Sequence, residues 1–349
     1  MRNLIIVILL TIILGTACSG NQNESAAATL TIMTHDSFEV SADLITKFEN
    51  ENNVKLVFLK SGDAGEVLNK AILSSDNPLA DVLYGVDNTF LSRALDSGIF
   101  ESYDSPLLQN IPDDFKLDSK NTLLPVDFGD VCINYDKAYF ASNNLAVPTS
   151  FEDLLDPNYK GLLVMENPAT SSPGLAFMIA TVAHFGQDDF LNFWQKLTDN
   201  GLVVVGDWST AYYTNFSGSS GHGSQPMVVS YASSPVAEVI FAEKTITDSP
   251  TASITAPGMC FRQVEFVGIL KGTKQRALAE KFIDFMLEVP FQEDMPLQMF
   301  VYPVNPEATL PQEFIQYSSV ADAPAQLSPD MITINRDEWI ASWQNIVLH

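Results

Sequence analysis

Apolar and polar residues alternate along this chain in a way that sets the first structural expectation. "TLTIMTH" (Thr29–His35) is a short β-rich run, and Val40, Leu44 and Phe48 then share one i, i+4 row. "VKLVFLK" predicts a strand and "AGEVLNKAILS" a helix. "ADVLYG" predicts a buried strand and "NTFLSRALDSG" a helix stopped at Gly98. Strand and helix periods in alternation predict an α/β sheet with crossover helices.

After an irregular stretch from Ser102 to Leu124, "LLPVDFGDVCINYDKAYF" is a long strand-like run interrupted at Gly129. A long strand is a natural way to cross between two lobes. A second α/β unit then runs from about Val126 to about Pro250. Thr149 or Ser150 caps a short helix holding Phe151, Leu154 and Leu155. "LLVME" is a strand, and "SPGLAFMIATVAHFG" is an apolar helix with Pro173 in its first turn and Gly186 closing it. "DDFLNFWQKLTDNG" is a further helix, and "LVVVGDW" and "MVVSYASSP" are strands that end in polar or aromatic residues. The Gly/Ser-rich "FSGSSGHGSQP" predicts a flexible surface loop. It fits neither a phosphate-cradling loop nor a nucleophile elbow. "QVEFVGILKG" predicts a strand, followed by an amphipathic helix with Leu278, Phe282, Phe285 and Met286 on its core face. "MFVYPVNP" and a helix near "RDEWIASWQNIV" complete the chain.

The N-terminus is of a different kind. In "MRNLIIVILLTIILGTACSG", Arg2 precedes an apolar run from Leu4 to Leu14. That run is short for a bilayer span and has the shape of a secretory signal. Gly15, Thr16 and Ala17 lead to Cys18, which resembles a bacterial lipoprotein cleavage site. The usual leucine three positions before the cysteine is Gly15 here, so ordinary signal cleavage stays open beside lipidation of Cys18. The expected layout is a signal peptide at 1–17, then the lipidated cysteine and a polar tether at 18–28. The remainder suits two domains.

Charge narrows the function. The net charge is −25, from 43 acidic and 18 basic residues. Such a chain repels phosphate backbones, which argues against nucleic acid as a partner. The acidity serves solubility or attracts cations. Cys132 and Cys260 are compatible with a disulfide in an oxidising compartment and equally with two buried thiols. The four histidines and three cysteines form no metal-ligand spacing, and no metal or other cofactor is expected. There is no HExxH, no nucleophile elbow and no supported Ser/His/Asp order. The chain reads as a binder, with a secreted enzyme as the distant alternative.

One stretch carries the candidate chemistry. In "GDWSTAYYTNF", Tyr212 and Tyr213 offer two phenols, hard ligands for ferric ion. Trp208 and Ser209 instead offer a ring to stack on and a hydroxyl to hydrogen-bond an organic ligand.

"PTSFEDLLDPNYKG" followed by "ENPATSSPG" resembles the extracytoplasmic solute-binding proteins of ABC transporters, in the branch that holds ferric-ion and thiamine binders. "HDSF", "GVDN", "PVDFG", "GDWSTAY", "VVSYASSP", "QVEF" and "VYPVN" fall in the order seen in the thiamine-binding family. The resemblance implies an α/β, two-lobe periplasmic-binding-protein-like fold of type II. Ligand is clamped in a cleft between lobes joined by crossing strands. It implies a first lobe of residues 29–125 plus about 252–297 and a second of 126–251 plus about 298–349. It also implies a monomer that delivers thiamine, its phosphates or a pyrimidine precursor to an ABC permease and its ATPase subunits. The protein would be periplasmic, or held to the membrane by its lipid alone.

The resemblance carries over residue by residue. His35 stands where the family has tyrosine, and Asp36 and Ser37 match. Asp87, Asn88, Trp208, Ser209 and Tyr231 also match. Tyr212 lies in the register of the family's lone tyrosine, which leaves Tyr213 to packing. Ser171 and Ser172 resemble the phosphate-side contacts. Ala237 replaces an aromatic, and Phe300 replaces a tryptophan two residues before Tyr302. The implied ligand agrees with the residue types. A flat cationic heterocycle gains from aromatic faces, Asp36 or Asp87 can balance its charge, and the helix start at "TSSPG" suits a phosphate or hydroxyl. The plainer roles are a packed Trp208 and helix caps at Asp36, Asp87, Ser171 and Ser172.

Overall fold

The computed structural model describes residues 27–220 and 223–349. The signal segment, Cys18 and most of the tether lie outside the described residues, as does His222.

Among the described residues, eleven strands form one sheet: β1 (Ala28–Thr34), β2 (Val54–Lys60), β3 (Val82–Asp87), β4 (Phe100–Glu101), β5 (Leu124–Asp136), β6 (Leu163–Glu166), β7 (Val203–Val205), β8 (Met227–Tyr231), β9 (Thr251–Ile254), β10 (Phe261–Leu270) and β11 (Tyr302–Pro303). Their order is β2-β1-β3-β10-β5-β8-β6-β7. The two ends are built alike. β1 pairs in parallel with β2 and β3, and β6 pairs in parallel with β7 and β8. Parallel neighbours need helical crossovers, which is what the alternating periods predicted.

β5 and β10 join the two halves. They pair antiparallel from Phe261↔Val131 to Val267↔Leu124. The far end of β10 pairs with β3 and β4, and the far end of β5 with β8 and β9. β9 thus still pairs with β5, and the chain returns to the first half along β10. The strand through Gly129 runs unbroken from Leu124 to Asp136. Gly129 is there for a neighbour: a Cβ on it would lie 2.7 Å from Cδ1 of Tyr231. The ladders slip beside Glu265, between Glu265 and Phe266 against β5 and between Phe266 and Val267 against β3.

Cys132 on β5 and Cys260 just before β10 are disulfide-bonded. Of the two states left open by sequence, the bridge is present, and it staples the crossing strands together.

The helix Ser172–Phe185 is buried almost throughout, which explains why it is apolar on all sides. It starts against the end of β6, where a Cβ on Gly174 would lie 2.4 Å from the Glu166 carbonyl oxygen. Phe282, Phe285 and Met286 are core on the helix Arg276–Leu287, as the pattern predicted. The long final helix, Pro329–Val347, packs Trp343 against Trp194. "GDWSTAYYTNF" forms a π-helical turn, Thr210–Asn215. The Gly/Ser-rich loop begins as a short helix, Ser217–Ser220, anchored by the buried Phe216.

Candidate ligand-binding site

The carboxyl ends of the parallel strands in both halves converge on one cleft. This is where open α/β sheets present side chains to ligands. β1 delivers His35 and Ser37, and the chain after β2 delivers Asp63 and Ala64. The chain after β6 delivers Ser172 and Pro173, that after β7 Trp208, Tyr212 and Tyr213, and β8 ends on Tyr231. Glu265 from β10 and Phe300 close the inner chamber, which holds about 680 Å³ of space, part of it open to solvent. An outer chamber shares His35, Ser37, Asp63 and Trp208, and adds Asp36, Glu66, Thr170, Asp207 and Ser209.

Trp208 is held on two sides. Its ring stacks on Tyr212 at 5.0 Å and 17°, and its indole Nε1 donates to Ser230 Oγ at 2.9 Å. The π-helical turn sends the adjacent tyrosines apart. Tyr212 is buried, with its hydroxyl donating to Glu238 at 2.9 Å, and burial followed by the Glu238 charge holds its phenol well above the usual range. Tyr213, expected to pack, is 52% exposed at the cleft and meets Trp208 edge-on. Tyr231 sits flush against Gly129. Phe300 has a left-handed backbone (φ 55°), a conformation seldom taken by residues other than glycine. Its carbonyl accepts from Ser233, and its ring meets Phe241 at 5.6 Å.

Carboxylates complete the walls. Asp63 caps the helix Ala64–Leu73 by accepting from Ala64 N at 2.8 Å. It also accepts from Trp208 N in the other half, at 3.3 Å. Burial raises its pKa, while the Ser171 hydroxyl works the other way. Glu265 is buried, 3.5 Å from His35 Nε2 and 2.9 Å from the Tyr84 hydroxyl. His35 fits because Gly85 behind it has no Cβ; one added there would lie 2.5 Å from the imidazole. Neither Asp63 nor Glu265 was singled out from sequence, although "QVEF" contained the second.

Other sequence candidates lie behind the cleft. Asp87 is fully buried and accepts from Ser172 and from Thr89 N. Asn88 ties β3 to β10 by donating to the Arg262 carbonyl and accepting from Val264 N. Ser171 is buried beside Asp63 and does not line either chamber. Tyr302 pairs with β5, stacks on Phe128 and shares a hydrogen bond with Ser318, also away from the chambers. Asp36 and Ser209 line only the outer chamber.

Comparison with known proteins follows the same lines. The thiamine-binding periplasmic protein of Escherichia coli K12 is 30% identical over 327 residues, covering 92% of this chain and 94% of that one. A solved periplasmic thiamin binding protein superposes with a TM-score of 0.77 at 27% identity, covering 91% of this chain and 96% of that one. Iron-bound HitA from Pseudomonas aeruginosa shares the fold, with a TM-score of 0.75 at 17% identity, over 91% of this chain and 99% of its own. The family model for bacterial extracellular solute-binding proteins matches residues 77–316. This chain, with its two-ended sheet and inter-half cleft, belongs to the bacterial extracellular solute-binding proteins.

Proposed function

We propose that this protein binds thiamine outside the cytoplasmic membrane and delivers it to an ABC import permease driven by ATPase subunits. The observation that carries the reading is a cleft with aromatic walls, Trp208, Tyr213, Tyr231 and Phe300, and acidic groups, Asp63 and Glu265. Flat rings gain from stacking, a fixed cation gains from the aromatic faces, and the carboxylates balance its charge. The relatives named for thiamine support the same ligand. The lobes are the two halves of the sheet, closing on ligand about β5 and β10. The protein acts as a monomer tethered through a lipidated Cys18, and it performs no covalent step.

Ferric ion is the competing ligand. It is disfavoured because Tyr212 is kept as a neutral phenol that donates to Glu238. Calorimetry with thiamine and with ferric ion tests the choice. Saturable thiamine binding without a ferric charge-transfer colour is expected; colour on adding ferric ion, with no heat from thiamine, would overturn it.

A further inference from the structure

Resting on the reading that the two halves close on a ligand, we infer that Arg336 latches them: it is a positioning residue that holds the cleft shut without touching what the cleft holds. The buried stripe of the final helix, Pro329–Val347, is Ile332, Arg336, Trp339 and Trp343. The spacing is that of one helix face turned to a core. Trp339 and Trp343 fasten the helix to Phe190 and Trp194, on the helix Phe190–Asp199 of the second half, at 6.5 and 5.5 Å between ring centroids. Arg336 is 4% exposed in the same stripe, where a charge is costly unless it is paired and hydrogen-bonded.

What Arg336 reaches belongs to the first half. Its Nη1 donates to the Thr89 carbonyl at 3.4 Å, and its guanidinium lies over the Phe90 ring, 5.5 Å from the centroid. Both residues follow directly on β3. Its Nε and Nη2 donate to Asp337 Oδ1 at 3.1 and 2.8 Å, and the Asp337 side chain is 78% exposed. The charge is thus balanced from its own helix, at the solvent edge. The turn after β3 is gripped from a second side, where Asp87 accepts from Ser172 of the second half. The halves touch closely beside it: a Cβ on Gly65 would lie 3.1 Å from Cζ of Phe90 and 3.0 Å from the Thr170 carbonyl oxygen. None of Arg336, Thr89 and Phe90 lines either chamber. A guanidinium suits a contact that has to form and break, because it is weakly hydrated, stacks on a ring face and donates in a fixed fork. When the halves part, it returns to water still paired with Asp337.

The test is stopped-flow tryptophan fluorescence with thiamine on the whole protein, on Arg336→Gln and Arg336→Lys, and on Phe90→Leu from the other half. Thiamine should leave Arg336→Gln about tenfold faster than wild type, as loss of a desolvated cation–ring contact implies, while its association rate stays within about twofold. Arg336→Lys should keep part of the hold. Phe90→Leu should speed release less in the Arg336→Gln background than alone, because the two side chains act as one contact. Melting temperatures are read alongside. A lower melting temperature with unchanged dissociation in Arg336→Gln and Phe90→Leu would make the contact plain packing and overturn the latch. Should Arg336→Gln not fold, the dissociation rate of Phe90→Leu decides in the same way. If wild-type protein does not bind thiamine, the thiamine reading falls, and small-angle scattering of the ligand-free proteins decides the latch. A larger radius of gyration in Arg336→Gln than in wild type upholds it, and equal radii overturn it.

Discussion

Glu265 lies directly opposite Asp127 where β10 pairs with β5, and the Tyr84 hydroxyl reaches both, at 2.9 and 2.7 Å. One phenol has one proton to give, so two facing carboxyls need another. Burial, then the Glu265 charge, pushes Asp127 well above the usual carboxylate range. Burial also raises Asp87 and Glu166.

These acids make a pH prediction with a definite sign. Each has a folded pKa above its unfolded value, so the folded state binds more protons and stability falls as pH rises through the raised values. At the acid end, Lys55 lowers Glu49 and Lys116 lowers Asp113, and stability is lost as pH falls through those lowered values. The melting temperature should therefore be higher at about pH 5.5 than at about pH 8. A scan showing the reverse would contradict the upward shift of these buried acids.

Ligand binding should release protons. Burial holds Asp63 high, and a cation placed beside it favours the charged form. Thiamine affinity should rise with pH across the raised range, and calorimetry in buffers of different ionisation heat should report net proton release. Net proton uptake would mean that the cation does not sit by Asp63.

Trp208→Ala removes the upper ring of the Trp208–Tyr212 stack at the cleft. Affinity for thiamine should fall by about 1–3 kcal/mol, by analogy with base–aromatic stacking, and Trp208→Phe should recover part of it. An unchanged dissociation constant in the alanine variant would remove Trp208 from the site.

Gly129→Ala tests the site from behind. The new methyl would lie 2.7 Å from the Tyr231 ring, so that ring must shift into the chamber. Overpacking of this kind costs about 1–3 kcal/mol. Here thiamine affinity should drop along with stability, whereas a purely structural Tyr231 would leave affinity intact in the folded fraction.

Reducing the Cys132–Cys260 bridge, or replacing both residues with alanine, should destabilise the fold by about 2–5 kcal/mol. The two cysteines are 128 positions apart, so the bridge closes a long loop in the unfolded chain. Chemical denaturation with and without reductant measures the effect. Equal midpoints would show that the bridge contributes nothing.

The sequence was informative where local pattern decides and silent where distant segments meet. The α/β alternation, Trp208 and Tyr231 at strand ends, and Ser172 at a helix start were all legible because each depends on a few neighbouring residues. Asp63 and Glu265 were not. One is the N-cap of a helix in the first half, the other lies mid-strand on β10, and only the pairing of β10 with β3 and β5 brings them to the same cleft. The different fates of Tyr212 and Tyr213 follow from a π-helical turn, which has no clear sequence signal. Asp87 and Asn88 look like binding residues by type, but buried Asp87 holds Ser172, and half-buried Asn88 spends its amide on β10.

The slipped register beside Glu265 has a mechanical consequence. Where a ladder carries an extra residue, the strand bends and twists more than its neighbours. The extra residues lie on the two partners of β10, Val126 on β5 and Gly85 on β3, level with the point where the Glu265 side chain enters the cleft. The bends of β5 and β3 and an acidic wall of the cleft therefore lie side by side at one level of the crossing strands. A charge drawn to Glu265 would sit next to the bent stretches of both neighbouring strands, one residue away across each ladder.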